Sequence, residues 1–136
     1  MSPAARRLFH AFLYTLPLAL FACLYWFGLR SWFQQDDFAW LSLRSEVHSL
    51  SDLLRALFEP RAQGTIRPWS ERLFFLVLYD RYGLDHRPFH FVVALTQCAN
   101  LLLLQSIIVR VTGSRLAAFT AACVLLASPA LATPLS

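Results

Sequence analysis

Three long segments of this chain contain no Asp, Glu, Lys or Arg: residues 8–29, 89–109 and 116–132. An α-helix rises about 1.5 Å per residue, so roughly 20 predominantly apolar residues suffice to cross the hydrocarbon core of a bilayer. The chain as a whole is 57% hydrophobic, which is typical of neither a disordered nor a strongly charged soluble protein. We therefore expect an all-α, polytopic membrane protein with three transmembrane helices in a single domain, residues 1–136.

The first apolar segment has a competing interpretation as a cleaved secretory signal. Signal cores are about 7–15 residues long and precede a small-x-small cleavage site. This segment is longer and ends in Tyr25-Trp26-Phe27-Gly28-Leu29, which contains no such site. Aromatic residues at this position are typical of the belt at the headgroup level of a membrane. We therefore favour a membrane span.

The distribution of charge predicts the orientation of the chain. All twelve cations are Arg, and all eight acids lie between Asp36 and Asp85. The N-terminal flank and the short connection at residues 110–115 carry Arg and no acid, so the positive-inside rule places both in the cytoplasm. Residues 30–88 then form an extracytoplasmic loop. Apart from the pair Arg6 and Arg7, the cations are spread singly, without the basic patch that nucleic-acid binding requires, so we expect no nucleic-acid partner.

The loop itself contains two predicted helices, at about residues 49–59 and 68–82. Ser49 and Asp52 fit the Ser-x-x-Asp pattern that begins a helix, and apolar residues follow at spacings of three and four. Pro68 suits the first position of the second helix, and Gly83 suits its end. Neither helix is long enough to span, so we expect both to lie along the membrane surface, with a soluble helical lid as the alternative.

Two adjacent carboxylates, Asp36 and Asp37, lie just beyond the first apolar segment. A carboxylate in that position can take a proton from a substrate at the interface or bind a divalent metal ion. Arg67 and His90 are candidate ligands of a phosphate. Each also has a simpler interpretation: the acids cap a helix beginning at Phe38, Arg67 is a solvated loop residue, and His90 is an ordinary interfacial side chain.

The order of these motifs resembles the N-terminal portion of a bacterial GT-C glycosyltransferase of the protein-mannosyltransferase-like group, similar to glycosyltransferase family 39. The motifs that carry the resemblance are Asp36-Asp37-Phe38-Ala39-Trp40-Leu41, Arg67-Pro68, Phe75-Leu76-Val77-Leu78-Tyr79, Tyr82-Gly83-Leu84-Asp85 and Pro88-Phe89-His90. Such enzymes lie in the bacterial cytoplasmic (inner) membrane and transfer a sugar from a polyprenyl-phosphate-linked donor to an extracytoplasmic acceptor. Their first outer loop carries an acidic Asp-Asp or Asp-Glu motif and two juxtamembrane helices.

The resemblance implies roles for individual residues. It makes Asp36 the general base, while Asp37 orients the acceptor or binds a divalent metal ion, the one cofactor that the pair suggests. Position rather than the resemblance makes Arg67 a candidate contact of the donor phosphate or the acceptor, and His90 one of the donor phosphate, a headgroup or the Asp36 loop. Membrane lipids are expected partners. The sugar and the acceptor are not implied.

This chain departs from the family in two respects. Full members have many more spans, so we expect an N-terminal fragment that is inactive by itself. Many members also carry an Asn shortly after Phe-His, where this chain has Phe91-Val92-Val93. The alternatives are a small non-catalytic membrane protein or scaffold and a fragment of a transporter. A transporter would ordinarily carry an ionisable residue in the middle of a span.

Overall fold

The computed structural model describes residues 2–26, 28–33, 35–60 and 66–128, and for Leu29, Gln35 and Asp36 it describes the backbone alone. Every regular element in these ranges is helical, so the predicted all-α class is confirmed. The six α-helices of the described chain are α1 (Pro3–Tyr25), α2 (Gln35–Leu41), α3 (Leu50–Phe58), α4 (Phe74–Tyr82), α5 (Arg87–Thr112) and α6 (Arg115–Leu126). Two 3₁₀ turns (Gly28–Arg30 and Ser42–Glu46) and a π-helical segment (Pro68–Leu73) complete the regular structure of those ranges.

Helices α1 and α5 are long and apolar enough to cross a membrane, with 23 and 26 residues. Only 17% of the most apolar window of α1 and 11% of that of α5 is buried, which differs from the covered core helix of a soluble protein. Helix α6 has 12 residues, or about 18 Å, which is short of a bilayer core. The third predicted span, residues 116–132, ends outside the described residues and stays a prediction.

The chain divides into two compact units. The bundle unit consists of Met1–Ser31 and His90–Ser136, and the loop unit is the continuous segment Trp32–Phe89. In the chain, the loop unit is therefore an insertion between α1 and most of α5.

In the bundle unit, α1 packs along α6 through residues spaced four apart. The buried residues are Leu13, Pro17 and Phe21 on α1, Ala118, Ala122 and Leu126 on α6, and Leu101 and Gln105 on α5. The alanines lack bulk, which lets two helices approach closely. Gln105 is only 1% exposed, and its amide Nε2 donates no hydrogen bond within the described structure.

In the loop unit, an aromatic cluster brings the two ends of the segment into contact. Phe33, near its beginning, and Phe89, at its end, meet edge to face with ring centroids 5.1 Å apart. Leu41 and Phe75 are buried in the same cluster. A second cluster, of Leu43, Ala56, Leu57 and Leu76, joins α3 to α4.

Helix α3 begins where its capping pattern predicts. The Ser49 hydroxyl accepts a hydrogen bond from the Asp52 backbone N–H at 3.2 Å and donates one to the Asp52 carboxylate at 2.7 Å. The hydrogen bond from Ser49 lowers the pKa of Asp52 below its usual value of 3.8. The first of these bonds is the N-cap bond of a capping box, and the second joins the two side chains directly.

The apolar side chains of α3 divide between two directions rather than forming one buried stripe. Ala56 and Leu57 are buried against Leu43 and Leu76, as part of the second cluster. Leu50, Leu54 and Phe58, at every fourth position, remain 72%, 51% and 51% exposed. The helix thus leaves an apolar row uncovered, because its neighbours in the loop unit contact only half of its apolar face.

The segment predicted as one helix at 68–82 has two parts. From Pro68 to Leu73 the backbone is π-helical, and the Arg72 N–H reaches the Arg67 carbonyl five residues earlier. From Phe74 it continues as α4 and ends at Gly83, whose φ of 59° lies in the left-handed region that glycine adopts without strain. Stretches of π-helix are rare and are frequently found near functional sites.

Candidate functional site

The acidic pair lies in the first turn of α2, in the loop unit. The helix begins at Gln35, one residue before the pair, so the acids are part of the helix rather than caps of one that begins at Phe38. Successive positions in an α-helix are separated by about 100° around its axis, so positions 36 and 37 do not share one face of α2. The Asp37 side chain is half-buried, and that of Asp36 lies outside the described residues.

Helix α2 is held in place by its second half. Leu41 is 6% exposed and packs in the aromatic cluster beside Phe33 and Phe75. Trp40, one turn after Asp36, faces the guanidinium of Arg72, whose central carbon is 5.8 Å from the centre of the Trp40 ring. Cation–π contacts at this distance are attractive, and more so away from water.

Arg72 is completely buried. Its Nη1 donates hydrogen bonds to three backbone carbonyls at the end of α3: Ala56 at 3.0 Å, Leu57 at 2.9 Å and Glu59 at 2.6 Å. The last carbonyls of a helix have no donor within it and carry the negative end of its dipole, so a cation is favourable there. One side chain therefore connects α2, the end of α3 and the π-helical segment.

Sequence reasoning missed Arg72, although a signal for it was present. Arg72 precedes the buried Phe75 and Leu76 by three and four residues, which places it on their face of a helix. A charged residue on an apolar face must find polar partners when it is buried. Its position on that face, directly before the apolar run Leu73–Tyr79, was the available indication.

Arg67 lies on the surface of the loop unit. It precedes the π-helical segment, and its Nη1 is 2.7 Å from the Glu71 carboxylate, four residues later. The Arg67 side chain is 61% exposed, and exposed ion pairs of this kind contribute only about 0–1 kcal/mol. Its guanidinium can therefore exchange Glu71 for another anion at small cost.

His90 belongs to the bundle unit, in the first turn of α5. Its Nε2 donates to the backbone carbonyl of Ser31 at 3.0 Å. This hydrogen bond joins the two chain segments of the bundle unit, Met1–Ser31 and His90–Ser136. The structure thus places Asp36, Asp37 and Arg67 in one unit and His90 in the other. His86, by contrast, lies within the loop unit against Trp32, with ring centroids 5.3 Å apart.

The described side chains do not assemble a metal centre. No group of three or more His, Cys, Asp or Glu residues in those ranges is placed to hold an ion. Of the acidic pair only the Asp37 carboxylate is described, and Mg²⁺ is commonly held by one or two carboxylates together with water. Among the described candidates, the Asp37 carboxylate can accept a proton and the Arg67 guanidinium can bind an anion.

Comparison with known proteins adds no relative. No protein-family model, no curated protein sequence and no solved structure matches the chain. The resemblance to GT-C glycosyltransferases thus rests on the order of the sequence motifs. The structure contributes the setting of the acidic pair, which is a short helix in a compact unit inserted between two helices of membrane-spanning length.

Proposed function

We propose that this chain forms part of a membrane glycosyltransferase that transfers a sugar from a polyprenyl-phosphate-linked donor to an extracytoplasmic acceptor. The observation that carries the proposal is the placement of Asp36 and Asp37 on a short helix of the loop unit, between α1 and α5. If α1 and α5 cross the membrane, the chain leaves the bilayer shortly before the acids and returns to it shortly after Phe89. The carboxylates then lie near the depth at which a lipid phosphate presents its sugar.

The reaction assigns a role to each candidate residue. The acceptor oxygen forms a bond to the anomeric carbon, the bond from that carbon to the donor phosphate oxygen breaks, and the acceptor proton passes to Asp36. Such general-base catalysis contributes about 10²–10⁴-fold to a rate. Asp37 orients the acceptor, and the departing polyprenyl phosphate takes the negative charge.

The charge on the departing phosphate requires a cation or hydrogen-bond donors. Arg67 fits this role because its ion pair with Glu71 is exposed and easily exchanged. That His90 also contacts the phosphate stays a prediction from the sequence, since His90 belongs to the bundle unit. Arg72 has a different role: it holds Trp40, and with it the helix that carries the acids.

The proposal includes a location. The N-terminal flank with Arg6 and Arg7 lies in the cytoplasm, residues 30–88 lie outside, and the host membrane is the bacterial cytoplasmic membrane. A third span at residues 116–132 belongs to the same proposal. The low burial of α1 and α5 supports it, since lipid rather than protein would cover their apolar surfaces.

Two measurements test the proposal. In a variant whose three Cys residues are replaced, Asp37→Cys should react with a membrane-impermeant maleimide added from outside. In membranes that contain a complete enzyme carrying this segment, transfer of labelled sugar from a polyprenyl-phosphate donor should fall at least about 100-fold in Asp36→Asn. Glu59→Gln is the matched control, because it removes an exposed carboxylate elsewhere in the loop unit.

The outcomes separate the parts of the proposal. Labelling of position 37 only from the cytoplasm overturns the orientation and the function together. Correct labelling with unimpaired transfer by Asp36→Asn removes Asp36 from the reaction.

A further inference from the structure

An open cavity of about 400 Å³ lies in the loop unit, between the beginning of α3 and α4. Three of its lining residues are charged or titratable, Arg44, His48 and Asp80, and three are leucines, Leu50, Leu53 and Leu76. Its volume is within the range of about 300–1,000 Å³ that is typical of small-molecule sites. None of its lining residues belongs to α2, so the cavity is formed without the acidic pair.

The charges in this cavity are of both signs and in contact. The Nε of Arg44 donates to the Asp80 carboxylate, and the Nη1 of Arg44 donates to the Val47 carbonyl at 2.9 Å. These two bonds use two of the five N–H donors of a guanidinium. Arg44 and Asp80 are 41% and 61% exposed, so rearranging their ion pair costs little.

The apolar side of the cavity continues along α3. Leu50 lines the cavity and is also the first member of the exposed row Leu50, Leu54 and Phe58. The row runs away from the charged residues along about two turns of the helix. A ligand that matches the whole surface must therefore have a charged end and an apolar end.

We infer that the cavity binds the headgroup of a zwitterionic phospholipid with a primary ammonium, such as phosphatidylethanolamine. The phosphate contacts Arg44 and His48, the ammonium contacts Asp80, and the acyl chains lie along Leu50, Leu54 and Phe58. A purely anionic headgroup would be repelled by Asp80 and a purely cationic one by Arg44, whereas a zwitterion meets an opposite charge at both ends. The inference rests on the proposed membrane location and is independent of sugar transfer.

Lipid binding can be measured on the full chain in detergent by native mass spectrometry. The probes are 1-palmitoyl-2-oleoyl phosphatidylethanolamine and the phosphatidylglycerol with the same acyl chains. We expect about a tenfold preference for the former, the size of one charged hydrogen bond. Asp80→Asn should abolish the preference, and Arg44→Gln should weaken the binding of both lipids. Arg81→Gln, next to Asp80 but outside the cavity lining, should leave the preference unchanged.

A variant in which the charges of Arg44 and Asp80 are exchanged tests whether a lost lipid preference is caused by misfolding. The double variant Arg44→Asp with Asp80→Arg keeps an ion pair between the same two positions, so its circular dichroism should match that of the wild type. Its preference for phosphatidylethanolamine should nevertheless disappear, because the phosphate and the ammonium would face like charges. Retention of the preference in this folded variant overturns the assignment of the cavity.

The source of the headgroup is tested by competition. Soluble glycerophosphoethanolamine should displace the lipid only at much higher concentration, because it lacks the acyl chains. Equal potency of the two molecules overturns the role of the apolar row, and equal retention of the two lipids by the wild type overturns the inference. A chain that inserts in membranes without lipid preference leaves the sugar-transfer proposal intact, whereas a chain that does not insert overturns both.

Discussion

The two units of the chain treat a buried polar side chain in opposite ways. In the loop unit, Arg72 is completely buried and donates to three carbonyls at the end of α3. In the bundle unit, Gln105 is 1% exposed, and its Nε2 has no acceptor in the described structure. The first is a polar group around which three elements are organised, and the second is a packed amide whose donor has no acceptor in the part of the chain that the structure describes.

The distribution of acids follows the same division. All eight Asp and Glu residues lie within the loop unit, and the bundle unit carries cations only. The loop unit combines ion pairs, a serine helix cap and a buried guanidinium, whereas the described core of the bundle is formed by alanine, leucine and aromatic contacts. The groups that can carry out chemistry are therefore concentrated in the inserted segment.

The largest expected effect comes from replacing the guanidinium in the loop unit. Arg72→Met removes three hydrogen bonds to buried or half-buried carbonyls, and an unsatisfied buried acceptor costs about 1–3 kcal/mol. We expect the free energy of unfolding of the loop unit to fall by at least about 3 kcal/mol. Hydrogen–deuterium exchange should increase in α3 and in Pro68–Leu73 but not in α6.

The exposed Arg81 is the control for that variant, since Arg81→Met removes a cation of α4 that lies on the surface. Equal destabilisation by the two substitutions would mean that net charge rather than the buried hydrogen bonds of Arg72 stabilises the unit. The contrast with the bundle unit would then be lost.

A smaller effect of opposite sign is expected in the bundle unit. Gln105→Leu replaces an amide whose donor is unsatisfied with an apolar side chain of similar length. We expect stabilisation by about 1 kcal/mol or more, seen as a higher midpoint of thermal unfolding in detergent. Gln97→Leu should show no such gain, because the Gln97 Oε1 already accepts a hydrogen bond from Asn100.

Destabilisation by Gln105→Leu would show that the amide has an acceptor in the folded protein. The two units would then handle buried polar groups alike, and the comparison would reduce to a difference in composition.

The smallest effect concerns the start of α3. Ser49→Ala removes the cap and should cost about 1 kcal/mol, whereas Ser70→Ala, at an exposed serine that caps no helix, should cost less. The same variant should raise the pKa of Asp52 towards 3.8, because the hydrogen bond from Ser49 is the main cause of its lowering. A carboxyl titration followed by NMR measures both proteins.

The sign of the pH dependence follows from that lowered pKa. Because the folded-state pKa of Asp52 lies below 3.8, its contribution to stability is complete above that pH and is lost as the pH falls through the folded value. In Ser49→Ala this loss should become smaller, because the backbone hydrogen bonds and Arg55 still lower the pKa of Asp52. An unchanged acid transition would show that the other contacts of Asp52 determine its pKa.

Some of this structure could be predicted because local sequence determines it. The lengths of α1 and α5 follow from runs without charge, and the start of α3 follows from Ser49 and Asp52, whose side chains bond to each other. Helix α2 could not be predicted in the same way. Its seven residues show no apolar periodicity, and the contacts that hold it, Leu41 with Phe75 and Trp40 with Arg72, join residues more than 30 positions apart.

The same limit applies to the candidate site and to α3. Periodicity identifies Leu50, Leu53, Leu54 and Leu57 as one apolar face, but only the positions of Leu43 and Leu76 decide which of them are covered. Asp36 and Asp37 could be paired because they are adjacent in the sequence. The guanidinium next to their helix belongs to Arg72, which the sequence analysis did not single out from the other Arg residues.

The contact between Phe33 and Phe89 has a consequence for how such a protein can change. A segment whose two ends lie close together can be lengthened, shortened or replaced without altering the register of the helices that flank it. Trp32–Phe89 is therefore suited to act as an exchangeable cassette: grafted between other pairs of hydrophobic helices, it would retain its own fold, and new outer loops could be tried on α1 and α5.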